Sequence, residues 1–174
     1  IHESDPEEWW NVFTVNIKGT YLPTREFLRR NLGRPLTIIN TSSILSANTI
    51  PGFSVYYGTK SLINRFTEFL HYEYQQDGVR TFAYHPGAVG TDMVAVVPEA
   101  ARGIFDDSPE LAGGFTLWLT TQTEKTDFLR GRFVDSNWDV NDLLARKDEI
   151  VEKGFLWTGV RGQEQGLKLG PSYW

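Results

Sequence analysis

Leu36-Thr37-Ile38-Ile39-Asn40-Thr41 is a β-branched run set between Pro35 and the polar Ser42-Ser43, and it reads as a buried strand. Val79-Arg80-Thr81-Phe82-Ala83-Tyr84 has the same character, follows the breaker pair Asp77-Gly78 and stops at Pro86-Gly87. Between them, from Tyr56 to about Gln76, Leu62, Ile63, Phe66, Phe69, Leu70 and Tyr74 recur at helical spacing. Strand, helix and strand in this order predict a right-handed parallel crossover, and hence an α/β fold.

Toward the N-terminus, Asp5-Pro6-Glu7-Glu8 reads as a helix start, with Asp5 as N-cap, Pro6 at the first helical position and acids at the positive end of the dipole. Trp10, Phe13, Ile17, Tyr21 and Leu28 continue on one helical face to about Arg30, and Gly33 supplies the stop. Pro23 inside this run predicts a kink or break. Toward the C-terminus, the stretch from Ser46 to Ser54 reads as a loop, and Val94 to Asp107 has no clear period and reads as a lid. A helix is expected from Pro109 to Leu119, a third short strand in Gly131-Arg132-Phe133-Val134-Asp135, and a charged surface helix from Leu143 to Lys153. The segment 154–174, with five glycines and two tryptophans, reads as an irregular tail after a unit spanning 1–153. Trp10, Phe66, Phe69 and Tyr74 are expected in the core or an interface.

With 174 residues and 40% hydrophobic content, the chain has the apolar supply of one ordinary domain. A net charge of −5, with 17 scattered Lys and Arg, argues against a nucleic-acid surface. No cysteine is present, which fits a reducing, cytoplasmic setting, and His2, His71 and His85 lack ligand spacing, so no metal is expected. The longest apolar runs, such as 95–97 and 115–119, are too short for a membrane span. The chain starts without Met, from which a missing N-terminal segment is expected.

The chemistry centres on Tyr56-Tyr57-Gly58-Thr59-Lys60. At a helix start, Tyr56 and Lys60 stand one turn apart on one face, where a cation favours the phenolate and would bring a group that ordinarily titrates near pH ~10 toward a useful acid-base range. Ser43 ends a strand thirteen residues earlier, Asn16 lies on the preceding helix in Val15-Asn16-Ile17-Lys18-Gly19, and Pro86-Gly87 closes the following strand. Each has a plain structural alternative: a mid-helix Asn bonded to local backbone, a Ser cap and a turn. Tyr57 does not share the spacing to Lys60, His85 reads as structural, and Asp106-Asp107 reads as part of a solvated lid.

Taken in order, Asn16, Ser43, Tyr56-x-x-x-Lys60 and Pro86-Gly87 resemble the pattern of the classical short-chain dehydrogenase/reductase family over most of the chain up to Asp135. The resemblance implies a Rossmann-like parallel sheet with flanking helices. It also implies Tyr56 as general acid or base, Lys60 lowering its pKa and binding the cofactor ribose, and Ser43 on the same substrate oxygen. Asn16 would anchor a water leading from Lys60. In Pro86-Gly87-Ala88-Val89-Gly90-Thr91-Asp92-Met93 the matching segment would contact the nicotinamide carboxamide through Val89 and Thr91. The implied activity is hydride transfer between NAD or NADP, NADP slightly preferred, and a small-molecule alcohol or carbonyl, by a protein that forms a homo-oligomer when complete.

The extended epimerase and dehydratase branch shares Tyr-x-x-x-Lys, but the tight Pro-Gly-x-Val-x-Thr run resembles the classical branch. No Thr-Gly-x-x-x-Gly-x-Gly turn occurs, so the first βαβ half of the fold is expected to be missing and the isolated chain to be inactive. A non-catalytic binding or dimerisation module is the alternative. Leu45, Asn48, Tyr57 and the lid would shape a fairly hydrophobic substrate pocket.

Overall fold

The computed structural model describes residues 1–97 and 99–159. It begins with α1 (Pro6–Phe13), a wide π-helical turn (Thr14–Lys18) and α2 (Gly19–Asn31). Asp5 caps α1 through its carboxylate, which accepts from the Glu7 and Glu8 N–H groups at 2.7 and 3.1 Å; such a cap contributes about 0.5–2 kcal/mol. Helix α2 passes through Pro23 unbroken. The irregularity falls one turn earlier, in the wide turn Thr14–Lys18.

β1 (Leu36–Thr41), α3 (Ser54–Tyr74) and β2 (Val79–His85) form the expected crossover, with Leu36 opposite Val79 and Thr41 opposite Tyr84 in parallel register. After α4 (Pro109–Thr121) and the short α5 (Thr123–Thr126), β3 (Phe133–Asp135) joins the other side of β2, also parallel. The sheet order is β1-β2-β3. The charged C-terminal helix is two pieces, α6 (Val140–Ala145) and α7 (Lys147–Glu152), the first capped by Asp139. The stretch read as a lid, from Val94 to Asp107, overlaps two 3-10 turns, Asp92–Val96 and Glu99–Ile104. Of the expected tail, residues 160–174 lie outside the described residues.

The sheet is covered on both faces, as a parallel sheet must be. Leu36, Ile38 and Val79 pack with Leu28 of α2 and Leu70 of α3, whereas Phe82, Tyr84 and Val134 pack with Phe115, Leu119, Leu143 and Ile150. The alternation of Ile38 and Ile39 between these clusters is the period-2 signature of a strand. Every residue of β2 is buried, so it is the central strand.

Of the residues expected in the core or an interface, Trp10 and Phe69 stand outside the core. Trp10 is 59% exposed and Phe69 55%, and Tyr21 and Leu62 are exposed as well. The buried face of α3 is instead partly polar, with Thr59, Lys60, Asn64, Thr67 and Glu68 turned inward, so apolar spacing alone misplaced it. Among the described residues, no helix is long and apolar enough to cross a membrane, and no group of three or more His, Asp or Glu is placed to hold a metal ion.

Candidate active site

A ladder of polar contacts fastens the exit of β1 to α3. Asn40 Nδ2 donates to Thr67 Oγ1 at 3.0 Å, the Ser42 hydroxyl donates to Asn64 Oδ1 at 2.5 Å, and Asn64 Nδ2 donates to Ser46 Oγ at 2.8 Å. Ser61 adds a bond from its hydroxyl to the Ser46 carbonyl at 2.7 Å. Residues 60, 64 and 67 share one helical face, which is why that face is polar. The ladder holds Ser43, itself buried, at the start of a 3-10 turn (Ile44–Ala47), where its Oγ accepts from the Leu45 N–H at 3.2 Å.

Tyr56 and Lys60 meet as their spacing requires: the ammonium nitrogen lies 5.6 Å from the phenol ring centroid. Lys60 is buried and donates to the Thr41 carbonyl oxygen at 3.0 Å. Burial pushes the Tyr56 phenol above its ordinary range, with the Ser43 hydroxyl pulling the other way. Burial likewise pushes the Lys60 ammonium down. Desolvation is the leading influence on both groups, and the Lys60 cation is engaged by the Thr41 carbonyl.

Asn16 sits in the π-helical turn and donates from Nδ2 to Thr59 Oγ1 at 2.9 Å, and the Thr59 hydroxyl donates to the Tyr56 carbonyl at 2.7 Å. A wide turn of this kind re-aims a side chain that a regular helix would direct elsewhere. Asn16 and Lys60 both line a groove of about 610 Å³ that runs between α2 and the free edge of β1. Tyr57 faces away: it is buried, stacks on Phe53 with ring centroids 5.6 Å apart, and lines a separate concavity of about 850 Å³ with Asn48, Ile50 and Trp9.

Beyond β2, Pro86 and Gly87 make a turn in which Gly87 has φ +89° and a Cβ would stand 2.7 Å from Asp107 Oδ2. The Ala88 N–H donates to that oxygen at 2.6 Å. Asn137 Nδ2 donates to it at 3.1 Å. These bonds hold the Asp107 carboxyl below the usual carboxylate range. Asp107 is thus a fixed anchor, which corrects its reading as part of a solvated lid. Thr91 is exposed and its side chain caps nothing. The site gathers a protonated phenol, a hydroxyl and an ammonium at the β1 exit, with a constrained backbone turn at the β2 exit.

The sequence model of the short chain dehydrogenase family matches residues 1–102. The chain is 45% identical over 153 residues to the short chain dehydrogenase mpl6 of Monascus purpureus, covering 87% of this chain and 52% of that protein. It is 37% identical over 162 residues to the short chain dehydrogenase andI of Emericella variicolor, covering 92% and 55%. The chain therefore spans about half the length of the curated relatives it matches. Among solved structures, a gluconate 5-dehydrogenase from Burkholderia cenocepacia in complex with NADP and tartrate superposes with a TM-score of 0.69 at 21% identity, over 77% of this chain and 56% of that one, a likeness of fold.

Proposed function

The chain belongs to the short chain dehydrogenase family, and on that premise we propose that it carries the proton-transfer residues of an NAD(P)-dependent oxidoreductase interconverting a secondary alcohol and a ketone. The observation that carries this reading is the meeting of Tyr56, Ser43 and Lys60 at the exit of one parallel strand. In the direction of reduction, the Tyr56 hydroxyl gives its proton to the carbonyl oxygen while the Ser43 hydroxyl donates a hydrogen bond to the same atom. In oxidation the phenolate takes the proton back. A phenol kept protonated by burial is ready for the first task and must lose its proton for the second.

The residues present fit the nicotinamide end of a dinucleotide. Lys60 has N–H groups beyond the one given to Thr41 with which to hold ribose hydroxyls, and the Gly87 turn has no room for a side chain. Pro86, Gly87, Val89 and Thr91 would hold the carboxamide. Asn16 uses its Nδ2 on Thr59, which leaves its side-chain Oδ1 to take a water leading toward Lys60. When bound, NAD or NADP supplies the hydride chemistry. The NADP held by the structural relative supports this class of cofactor.

A non-catalytic association module is the second reading, favoured by the exposed Trp10, Phe69 and Tyr72 on helix surfaces. The deciding experiment follows NADH and NADPH oxidation against a panel of ketones, with the parent chain beside Tyr56→Phe. Turnover by the parent that falls at least about 100-fold in the variant supports the oxidoreductase. Equal turnover in both removes Tyr56 from the chemistry, and no turnover by a folded parent chain agrees with the inactivity expected of the isolated half, leaving cofactor binding to separate the two readings.

A further inference from the structure

Asp107 joins three stretches of chain. Its Oδ2 accepts from the Ala88 N–H and from Asn137 Nδ2, while its own N–H donates to the Ala88 carbonyl at 3.2 Å. Val89 and Asp107 form an isolated parallel bridge. Asn137 is itself fixed at the exit of β3, where its N–H donates to Asp135 Oδ1 at 2.9 Å. One carboxylate thus ties the exits of β2 and β3 to the end of the segment that runs from Asp92 to Asp106.

The contact with Gly87 is as telling as the hydrogen bonds. A Cβ on residue 87 would lie 2.7 Å from Oδ2, so the carboxylate occupies the space a side chain would need. Both polar backbone atoms of Ala88 are taken by Asp107. Bonding polarity alternates along an extended segment, so the Val89 N–H and carbonyl face the opposite side, away from Asp107. A short N–H to carboxylate bond is charge-assisted and sets the peptide plane it holds more firmly than a neutral one.

We propose that Asp107 is a positioning residue for the reaction: it fixes the backbone from Gly87 to Val89 so that the Val89 polar groups are presented to the nicotinamide end of the cofactor. This rests on the reading of that segment given under Proposed function. Asp107 acts through Ala88 and Gly87 and touches neither substrate nor reacting atoms.

The test compares the 174-residue chain with Asp107→Ala and Asp107→Asn by amide hydrogen exchange and by NADPH and NADH titration. In Asp107→Ala, exchange at the Ala88 amide should rise at least about tenfold while Leu36–Thr41 and Val79–His85 keep their protection, a local loosening that general destabilisation would not give. Asp107→Asn keeps an oxygen for the Ala88 N–H and should restore most of the protection. Cofactor affinity should follow the same order, weakened about tenfold in Asp107→Ala. Unchanged exchange in Asp107→Ala, no rescue by Asp107→Asn, or equal affinity in all three overturns the assignment. A parent chain that binds neither cofactor overturns the reading of function instead, and the exchange measurements still decide whether Asp107 holds the loop.

Discussion

Lys60 stands 5.6 Å from the centre of the Tyr56 ring, and both groups are pushed by burial toward their neutral forms, the phenol upward and the ammonium downward. Opposite shifts from one cause are what desolvation gives a phenol and an ammonium, since it favours the neutral form of each. The consequence for chemistry is directional, because a phenol held above its ordinary range is a ready acid and a reluctant base.

The rate of ketone reduction should therefore be level through the neutral range and fall only above about pH 10, the ordinary phenol value. Alcohol oxidation, which needs the phenolate, should rise about tenfold per pH unit over the same range. Initial rates in both directions across pH check this. A reduction rate that fell through neutral pH would mean that the Tyr56 phenol lies below, not above, its ordinary value.

Gly87→Ala should destabilise the fold by about 1–3 kcal/mol, because it combines φ +89° with a clash at 2.7 Å against Asp107 Oδ2. Urea unfolding followed by circular dichroism reads the change. A loss within about 0.5 kcal/mol would show that the turn relaxes freely.

Asn16 and Thr59 should be coupled. Replacing either by an apolar residue removes the 2.9 Å bond that ties the π-helical turn to α3, and a double-mutant cycle of Asn16→Ala and Thr59→Val should give about 0.5–1.5 kcal/mol of interaction. Strict additivity would contradict the contact.

Acid should weaken the fold through His85 and His71. Burial lowers both, with nearby Asp135 and Asp107 opposing it at His85, and Nδ1 of each is buried without a partner among the described residues. The unfolded chain takes up these protons first, near pH ~6.5, so stability is full above that value and is lost as pH falls through the lower folded values. The melting temperature should drop between about pH 7 and pH 5, and His85→Gln should flatten part of the drop. A melting temperature that rose on acidification would reverse the sign and with it the burial argument.

The strands and the crossover were readable because Ile38, Ile39 and Phe82 sit in β-branched or aromatic runs bounded by Pro35, Gly78 and Pro86, signals local enough to survive without tertiary information. Tyr56 and Lys60 were readable for a similar reason, since helical spacing fixes a neighbour at four residues. The polar inner face of α3 was not, because Asn64 and Thr67 turn inward to meet Ser42, Ser46 and Asn40, partners at least 18 residues away. The outward turn of Trp10 and Phe69 follows from how the helices pack, which residue periodicity does not record. Asp107 escaped for the same reason: its partners Ala88 and Asn137 lie 19 and 30 residues distant. The phenol's upward shift needed the depth of burial, which the Tyr-x-x-x-Lys spacing alone does not reveal.

The most direct test of the oxidoreductase reading is titration of the 174-residue chain with NADPH and NADH, following nicotinamide fluorescence alongside a thermal melt. The account predicts saturable binding and a raised melting temperature, with stabilisation of about 2.7 kcal/mol at a cofactor concentration one hundred times Kd. A cooperative melt that neither cofactor shifts, with no change in fluorescence, would contradict it.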